Sequence, residues 1–234
     1  MGQGCKRVLL KISGEFLSGS KDLGIDFEVV SSVCNQIKKC LDKNIQVGLV
    51  IGGGNFWRGR SSGKMDRSKA DYMGMLATVI NALGVSDALE QIGVKTKVQT
   101  SIHMVPIAEP FNKDAAIKHL NSYGVVIFAC GTGSPYFSTD TAAALRAAEI
   151  NADVLLKATL TDGIYDKDPN VYDDAKKYDT LTFTDILKND LKVIDASAAS
   201  LCRDNNIPLL VFGIKNIENI FLAANEQSVG TLVK

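Results

Sequence analysis

The run Gly52-Gly53-Gly54-Asn55-Phe56-Trp57-Arg58-Gly59-Arg60 follows the apolar segment Val47-Gly48-Leu49-Val50-Ile51. Consecutive glycines at the end of a buried strand give a backbone free to take positive φ and to approach a ligand closely. Peptide N–H groups in such a loop can face an anion, and Arg58 adds a charged fork. The chemistry is phosphate binding; the plain alternative is a tight turn with no ligand. A second loop, Cys130-Gly131-Thr132-Gly133-Ser134-Pro135-Tyr136-Phe137-Ser138-Thr139-Asp140, has the same character. It is dense in hydroxyls and leads into an Ala-rich helix whose N-terminus, with Thr139 as N-cap, would offer donors to an anion. Asp140 would repel a phosphate it touched, so orienting lysines around one is its more physical role.

Other candidates stand at the ends of apolar segments. Lys11 lies where Val8-Leu9-Leu10-Lys11-Ile12 meets Ser13-Gly14, and Lys157 closes Val154-Leu155-Leu156-Lys157. Asp71 is placed at the polar entry of a helix running to Leu83, where it could be a dipole partner only. Asp162-Gly163 and Asp168-Pro169 mark turns, with Tyr165 between them as a stacking surface for a base. His103 and His119 lack a Ser or Cys pattern that would make a triad and read as ordinary residues.

The elements that position these residues alternate along the whole chain. Strands are expected at 8–12, 46–51, 94–99, 125–129, 154–157, 209–212 and 231–233. Helices are expected from Asp26 to about Lys43, at 71–83, 114–123, 140–150, 195–205 and 217–224. The first carries an apolar stripe from Phe27 to Leu41 at spacings of three and four. Residues 19–24 and 61–69 read as polar loops. Strand, helix, strand with apolar-faced crossovers implies an α/β fold: one domain over 1–234, a three-layer αβα sandwich with a largely parallel sheet covered on both faces. Ligands gather at the C-terminal strand ends of such sheets, where the glycine loops lie.

The 234 residues are 46% hydrophobic and 22% charged, enough for a sizeable core, and the formal net charge is zero. No basic excess is available to neutralise a polyanion, which argues against a dedicated nucleic-acid or membrane-surface binder. Cys5, Cys34, Cys40, Cys130 and Cys202 form no C-x-x-C pair, so reduced thiols in a cytoplasmic setting are expected. Neither a signal peptide nor a transmembrane stretch is read from the sequence.

Several anion-binding loops with Lys11, Arg58 and Lys157 nearby exceed what one phosphate needs and suit two phosphorylated ligands meeting above one sheet edge. Phosphoryl transfer asks for positioning and charge neutralisation more than for a covalent group. No G-x-x-x-x-G-K-[ST] loop and no H-R-D or D-F-G set is present. The segments K-I-S-G-E at 11–15, V-I-G-G-G-N-x-x-R-G at 50–59, D-Y-M-G-M-L-A-T at 71–78, G-T-G-S-P-Y-F-S-T-D at 131–140 and K-A-T-x-x-D-G-I-Y-x-x-D-P at 157–169 closely resemble the bacterial uridylate kinases of the amino acid kinase superfamily. The resemblance runs in order from Lys6 to the C-terminus.

That resemblance implies transfer of the γ-phosphoryl of ATP to UMP, with Mg²⁺, in de novo pyrimidine nucleotide synthesis. Matched motif by motif, it implies that Lys11, Ser13 and Gly14 hold ATP phosphates, with Lys11 the main catalytic cation. Gly54 and Arg58 would contact ATP, and Thr159, Tyr165 and Asp168 its adenosine side. Gly53, Asp71 and the loop Thr132, Gly133, Ser134, Pro135, Tyr136, Phe137, Ser138 and Thr139 would contact UMP. Asp140 would be the organising catalytic aspartate, and a second catalytic lysine would be Lys157 or Lys192. The phosphate of UMP would be the nucleophile, already ionised, so no general base is needed. A β-carbon at Gly53 or Gly54 is expected to damage turnover more than folding.

The family is typically a cytoplasmic homohexamer activated by GTP and inhibited by UTP. Basic residues often present at its GTP site are replaced here by Ser86, Glu90 and Gly124, and Glu90 would repel a triphosphate. The rival readings are another amino acid kinase with a carboxylate or carbamate acceptor, and a nucleotide-binding regulator without turnover. Lys11 and Asp140 argue against the second.

Overall fold

A computed structural model describes residues 7–57, 64–189 and 191–234. Strands β1 (Arg7–Ile12), β2 (Gln46–Ile51), β3 (Thr96–Thr100), β4 (Glu109–Pro110), β5 (Val125–Ala129), β6 (Val154–Thr159), β7 (Ile164–Tyr165), β8 (Lys177–Tyr178), β9 (Thr180–Leu181), β10 (Leu209–Gly213) and β11 (Thr231–Val233) are joined by helices. These are α1 (Gly14–Leu17), α2 (Phe27–Asp42), α3 (Arg67–Gln91), α4 (Lys113–Asn121), α5 (Thr139–Glu149), α6 (Phe183–Lys188), α7 (Ala196–Asp204) and α8 (Asn219–Ala224).

The main sheet has the order β4-β3-β5-β2-β1-β6-β10-β11-β9. Its neighbours are parallel except β10 and β11. The central strands are near-continuous aliphatic runs because helices cover them on both sides. One face packs on α2, α3 and α8 through residues such as Leu10, Ile37, Leu49, Val79 and Ile220. The other packs on α4, α5, α6 and α7 through Leu9, Leu120, Phe128, Ala147, Ile186 and Cys202. The chain places β2 on one side of β1 and β6 on the other. That reversal opens a crevice beyond the C-terminal ends of the central strands.

Two helix starts differ from the sequence reading for local reasons. Helix α3 begins at Arg67, not Asp71, because the Asp66 side chain accepts from Lys69 N at 3.0 Å and caps it there. Asp71 is therefore inside the helix rather than at its entry, and the polar loop expected to reach 69 ends before Arg67. Helix α5 is capped by Ser138, not Thr139; its Oγ accepts from Asp140 N at 3.0 Å and Thr141 N at 3.2 Å. The short α1 and α6 and the β7–β8 hairpin were not anticipated, since elements of two to six residues show no period.

Helix α3 is long and apolar enough to cross a membrane by composition alone. Its Ala70, Val79, Ala82, Val85 and Leu89 are instead buried, with Val79, Ala82, Val85 and Leu89 packed in the core of one sheet face, which makes it a core helix. Cys34, Cys40, Cys130 and Cys202 are free and buried. Burial pushes the thiols of Cys34, Cys40 and Cys202 up to about 12, so they act as small hydrophobes. Cys5 lies outside the described residues.

Candidate active site

A cleft of about 780 Å³ opens at the C-terminal edge of β1, β2 and β6. Its floor comes from Lys11, Ser13 and Gly14, from Gly52, Gly53 and Gly54, and from Lys157. One wall is α3, with Arg67, Asp71, Met75 and Thr78; the opposite wall is the start of α5 and residues 191–196.

Lys11 and Lys157 are register partners on parallel β1 and β6, so their side chains leave the sheet on the same face. That face is covered by α5, whose first turn carries Asp140 between the two ammonium groups. Lys11 Nζ lies 2.9 Å from Asp140 Oδ1. Lys157 Nζ donates to Asp140 Oδ2 and to the Val193 carbonyl. An ammonium carries three donors, so Lys11, paired with Asp140 Oδ1, keeps protons for another acceptor. The side chains of Lys11, Asp140 and Lys157 are 12%, 15% and 10% exposed.

Burial pushes the Asp140 carboxyl up, but Lys11 and Lys157 together outweigh it and hold it below the ordinary carboxylate value. The Lys157 ammonium is lowered first by burial and further by Lys11, against the pull of Asp140. Two cations thus share one anion, and the surplus positive charge faces the cleft.

The glycine loop is held by a buried amide pair. Asn55 Nδ2 donates to Asn81 Oδ1 at 2.9 Å, and Asn81 Nδ2 donates to Asn55 Oδ1 and to the Gly52 carbonyl, both at 2.7 Å. The glycines are required by close approach. A Cβ on Gly53 would lie 2.6 Å from the Gly74 carbonyl and 2.9 Å from Ala77 Cβ, whereas one on Gly54 would meet only the Glu15 side chain. Gly53 is thus packed against α3, so the expectation that a β-carbon there would damage turnover more than folding does not fit Gly53, while at Gly54 it stands as an expectation.

The hydroxyl-rich loop is tied down at several points. Cys130 N donates to Thr78 Oγ1 at 2.8 Å, and Tyr136 N donates to Asp71 Oδ2 at 2.8 Å. Arg67 Nε holds the same carboxylate at 2.9 and 2.8 Å, with its guanidinium 5.6 Å from the Tyr136 ring centroid. Ser138 Oγ donates to Asp195, which also accepts from Thr141 Oγ1 at 2.9 Å and caps α7 through Ala198 N at 3.0 Å. Because Ser138 occupies two first-turn amides of α5, that helix offers fewer donors to an anion than its sequence suggested. The short α1 differs: Ser13 makes no side-chain cap bond.

Of the expected site residues, Lys11, Ser13, Gly14, Gly53, Gly54, Asp71, Phe137, Ser138, Thr139 and Asp140 line the cleft, as do both Lys157 and Lys192. Thr132, Gly133, Ser134, Pro135 and Tyr136 belong to the loop above it without lining it. Thr159 ends β6 and donates to the Thr161 carbonyl at 2.7 Å. Tyr165 hydrogen-bonds Asp162 at 2.6 Å, and Asp168 receives Asn170 N at 2.9 Å. These three are not among the residues that line the cleft. Arg58 lies outside the described residues. Trp57, Arg67, Thr78, Asn81 and Asp195 were not assigned a role from sequence. A polar residue inside a helix, or at a helix cap, carries no local signal of a ligand.

The model of the amino acid kinase family matches residues 6–213. The chain is similar to the solved UMP kinase of Bacillus anthracis (34% identity, 99% of this chain and 97% of that one, TM-score 0.95). It is similar to the UMP kinase of Ureaplasma parvum (37% identity, 99% and 100%, TM-score 0.92). The uridylate kinase of Archaeoglobus fulgidus superposes at a TM-score of 0.75 with 28% identity over 97% of this chain and 99% of that one.

Proposed function

The chain belongs to the amino acid kinase family, and we propose that it transfers the γ-phosphoryl of ATP to UMP, giving UDP for pyrimidine nucleotide synthesis. The observation that carries the reading is the Lys11–Asp140–Lys157 constellation facing a cleft built from the glycine loop and α3. In the transferring state, charge spreads over the equatorial phosphoryl oxygens. Lys11 would neutralise it, and Lys157 is the second lysine of choice because it shares Asp140 with Lys11, whereas Lys192 belongs to the wall formed by 191–196. Asp140 holds both ammonium groups in position before the substrates arrive, which costs nothing at the moment of reaction. Amides at Ser13 and Gly14 and those of the glycine loop cradle donor phosphates. The UMP phosphate attacks directly, so no histidine is needed.

The two nucleotides fall to different parts of the chain. The acceptor side is built mainly from the N-terminal part, through Gly53 and Asp71 to the loop 132–139. The donor side comes from the C-terminal part, with Thr159, Tyr165 and Asp168. Mg²⁺ is assigned to the donor as its phosphate complex. Among the described residues no cluster of three His, Cys, Asp or Glu side chains could hold a metal.

We assign the protein to a cytoplasmic homo-oligomer, with a hexamer as the expected state. Its support is the face of α3 turned away from the sheet, where Tyr72, Met73, Leu76, Ile80 and Leu83 are all exposed; a helix apolar on both faces asks for a second covering surface. Activation by GTP is expected to be weak. Glu90 is held by Thr96 Oγ1 at 2.5 Å, beside Ser86, and its carboxylate opposes a triphosphate. Rate measured against GTP decides this; strong activation would show that other residues bind it.

A coupled assay of ADP release tests the main reading across UMP, CMP, acetylglutamate and aspartate, with Lys11→Ala alongside. UMP-dependent turnover that collapses in the variant is expected. Equal turnover without UMP, or an unaffected variant, overturns it.

A further inference from the structure

Arg146 is 4% exposed, does not line the cleft, and has no part in the reaction proposed above. An arginine keeps its charge in a protein, so burying one requires partners. Its guanidinium lies 3.7 Å from the Phe111 ring centroid and 6.0 Å from that of Phe128. Nη1 donates to Glu149, and Nη2 donates to Ser101 Oγ at 2.8 Å. Ser101 Oγ in turn donates to the Gly131 carbonyl at 2.7 Å.

A serine hydroxyl has a single proton. With an arginine N–H pointed at its oxygen, that proton is directed to Gly131, and the charge of Arg146 strengthens the second bond through the first. Gly131 opens the hydroxyl-rich loop at φ 56°, after Cys130 at φ 62° and before Gly133 at φ 81° and Tyr136 at φ 73°. For Cys130 and Tyr136, which are not glycines, backbone in this region persists only where the surroundings impose it. Thr78 and Asp71 impose it from α3, inside the cleft. Ser101 holds the same loop from behind, through the Gly131 carbonyl and close packing at Gly133, where a Cβ would lie 3.0 Å from Ser101 Cβ.

We infer that Arg146, acting through Ser101, is a positioning residue for the acceptor nucleotide, fixing the loop 131–136 from the side that the ligand never touches. The inference rests on the reading that this loop meets UMP.

Ser101→Ala removes the relay while leaving Arg146 on its aromatic bed. KM for UMP rises about three- to tenfold, the value of one hydrogen bond, with KM for ATP unchanged. In ligand-free protein the amides of 131–136 exchange faster than in wild type. Arg146→Lys keeps the charge but loses the fork and the stacking, and gives a rise of the same kind. The double variant adds little to the larger single effect, because the two residues act in series. KM values for both nucleotides rising together, or a fall in melting temperature alone, overturns the inference. Wild-type turnover with UMP separates the two readings. Should wild type fail to use UMP, exchange still decides: unchanged rates across 131–136 in Ser101→Ala overturn the positioning role, and faster rates confined to that loop support it.

Discussion

Lys11 and Lys157 stand side by side as register partners on adjacent parallel strands, and a single carboxylate, that of Asp140, meets both. Like charges placed so closely would repel if Asp140 were absent. In the proposed reaction the transferring phosphoryl group would supply the missing negative charge.

Removing members of this set should separate catalysis from folding. Lys11→Ala leaves Asp140 paired with Lys157, so the fold survives while kcat falls by about 10²- to 10³-fold, the usual cost of one charge-stabilising donor. Asp140→Asn leaves two largely buried ammonium groups without a counter-charge, and stability falls by on the order of 3 kcal/mol in addition to the loss of rate. Urea unfolding beside steady-state kinetics checks this. An Asp140→Asn protein as stable as wild type would show that the pair does not hold the lysines in place.

The pH dependence follows from the same triad. Asp140 has its folded pKa below the unfolded one. Its stabilisation is therefore present above the unfolded carboxylate value and is lost only as pH falls through the lower folded value. Lys157 is also lowered, so between its folded value and the ordinary lysine value the unfolded chain binds more protons, and this lysine's contribution to stability rises with pH through that window. Activity behaves in the opposite way, since it needs the ammonium. The alkaline limb of kcat should fall before an ordinary lysine would titrate. In Asp140→Asn the limb should move lower still, because the pull that raises Lys157 is gone. A limb that stays put in that variant would assign the titration to another group.

The two glycines of the loop should behave differently. Gly53→Ala drives a β-carbon into the Gly74 carbonyl and Ala77, backbone and side chain of α3 that cannot both retreat, so the protein is destabilised. Gly54→Ala displaces only the Glu15 side chain, so the fold is kept and the loss appears in turnover. Melting curves and kinetics on both variants check the split. A soluble, stable Gly53→Ala enzyme would mean that α3 yields.

The fold and half of the site were legible because their signals are local. Aliphatic runs ending in glycine or hydroxyl-rich loops marked β1, β2, β5 and β6 and placed Lys11, the glycine loop and Asp140 at one edge. What joined Lys157 to Lys11 was strand register, a relation between residues 146 positions apart in the chain that no spacing reveals, which is why Lys157 and Lys192 stayed equal candidates. The start of α3 was missed because Asp66 reads as one more polar residue of a loop until its carboxylate is seen on Lys69 N. Arg146 inside an Ala-rich helix gave no sign of being buried, since its partners Ser101, Phe111 and Phe128 come from β5 and from segments far from it in sequence.

Asn81 is the least conspicuous of the residues on which the glycine loop depends. It is fully buried, and its amide serves both Asn55 and the Gly52 carbonyl. Asn81→Leu would bring a similarly branched side chain without donors or acceptors, leaving Asn55 Oδ1 and the Gly52 carbonyl without their Asn81 donor in the interior at about 1–3 kcal/mol each. Asn81→Asp would keep the acceptor for Asn55 but turn a negative oxygen toward the Gly52 carbonyl, a repulsion at the start of the glycine loop. Both variants should melt lower. If the amide sets the loop's geometry as well as its stability, Asn81→Asp at a temperature where it remains folded should raise KM for ATP and lower kcat. Kinetics equal to wild type in the folded protein would reduce Asn81 to a packing residue.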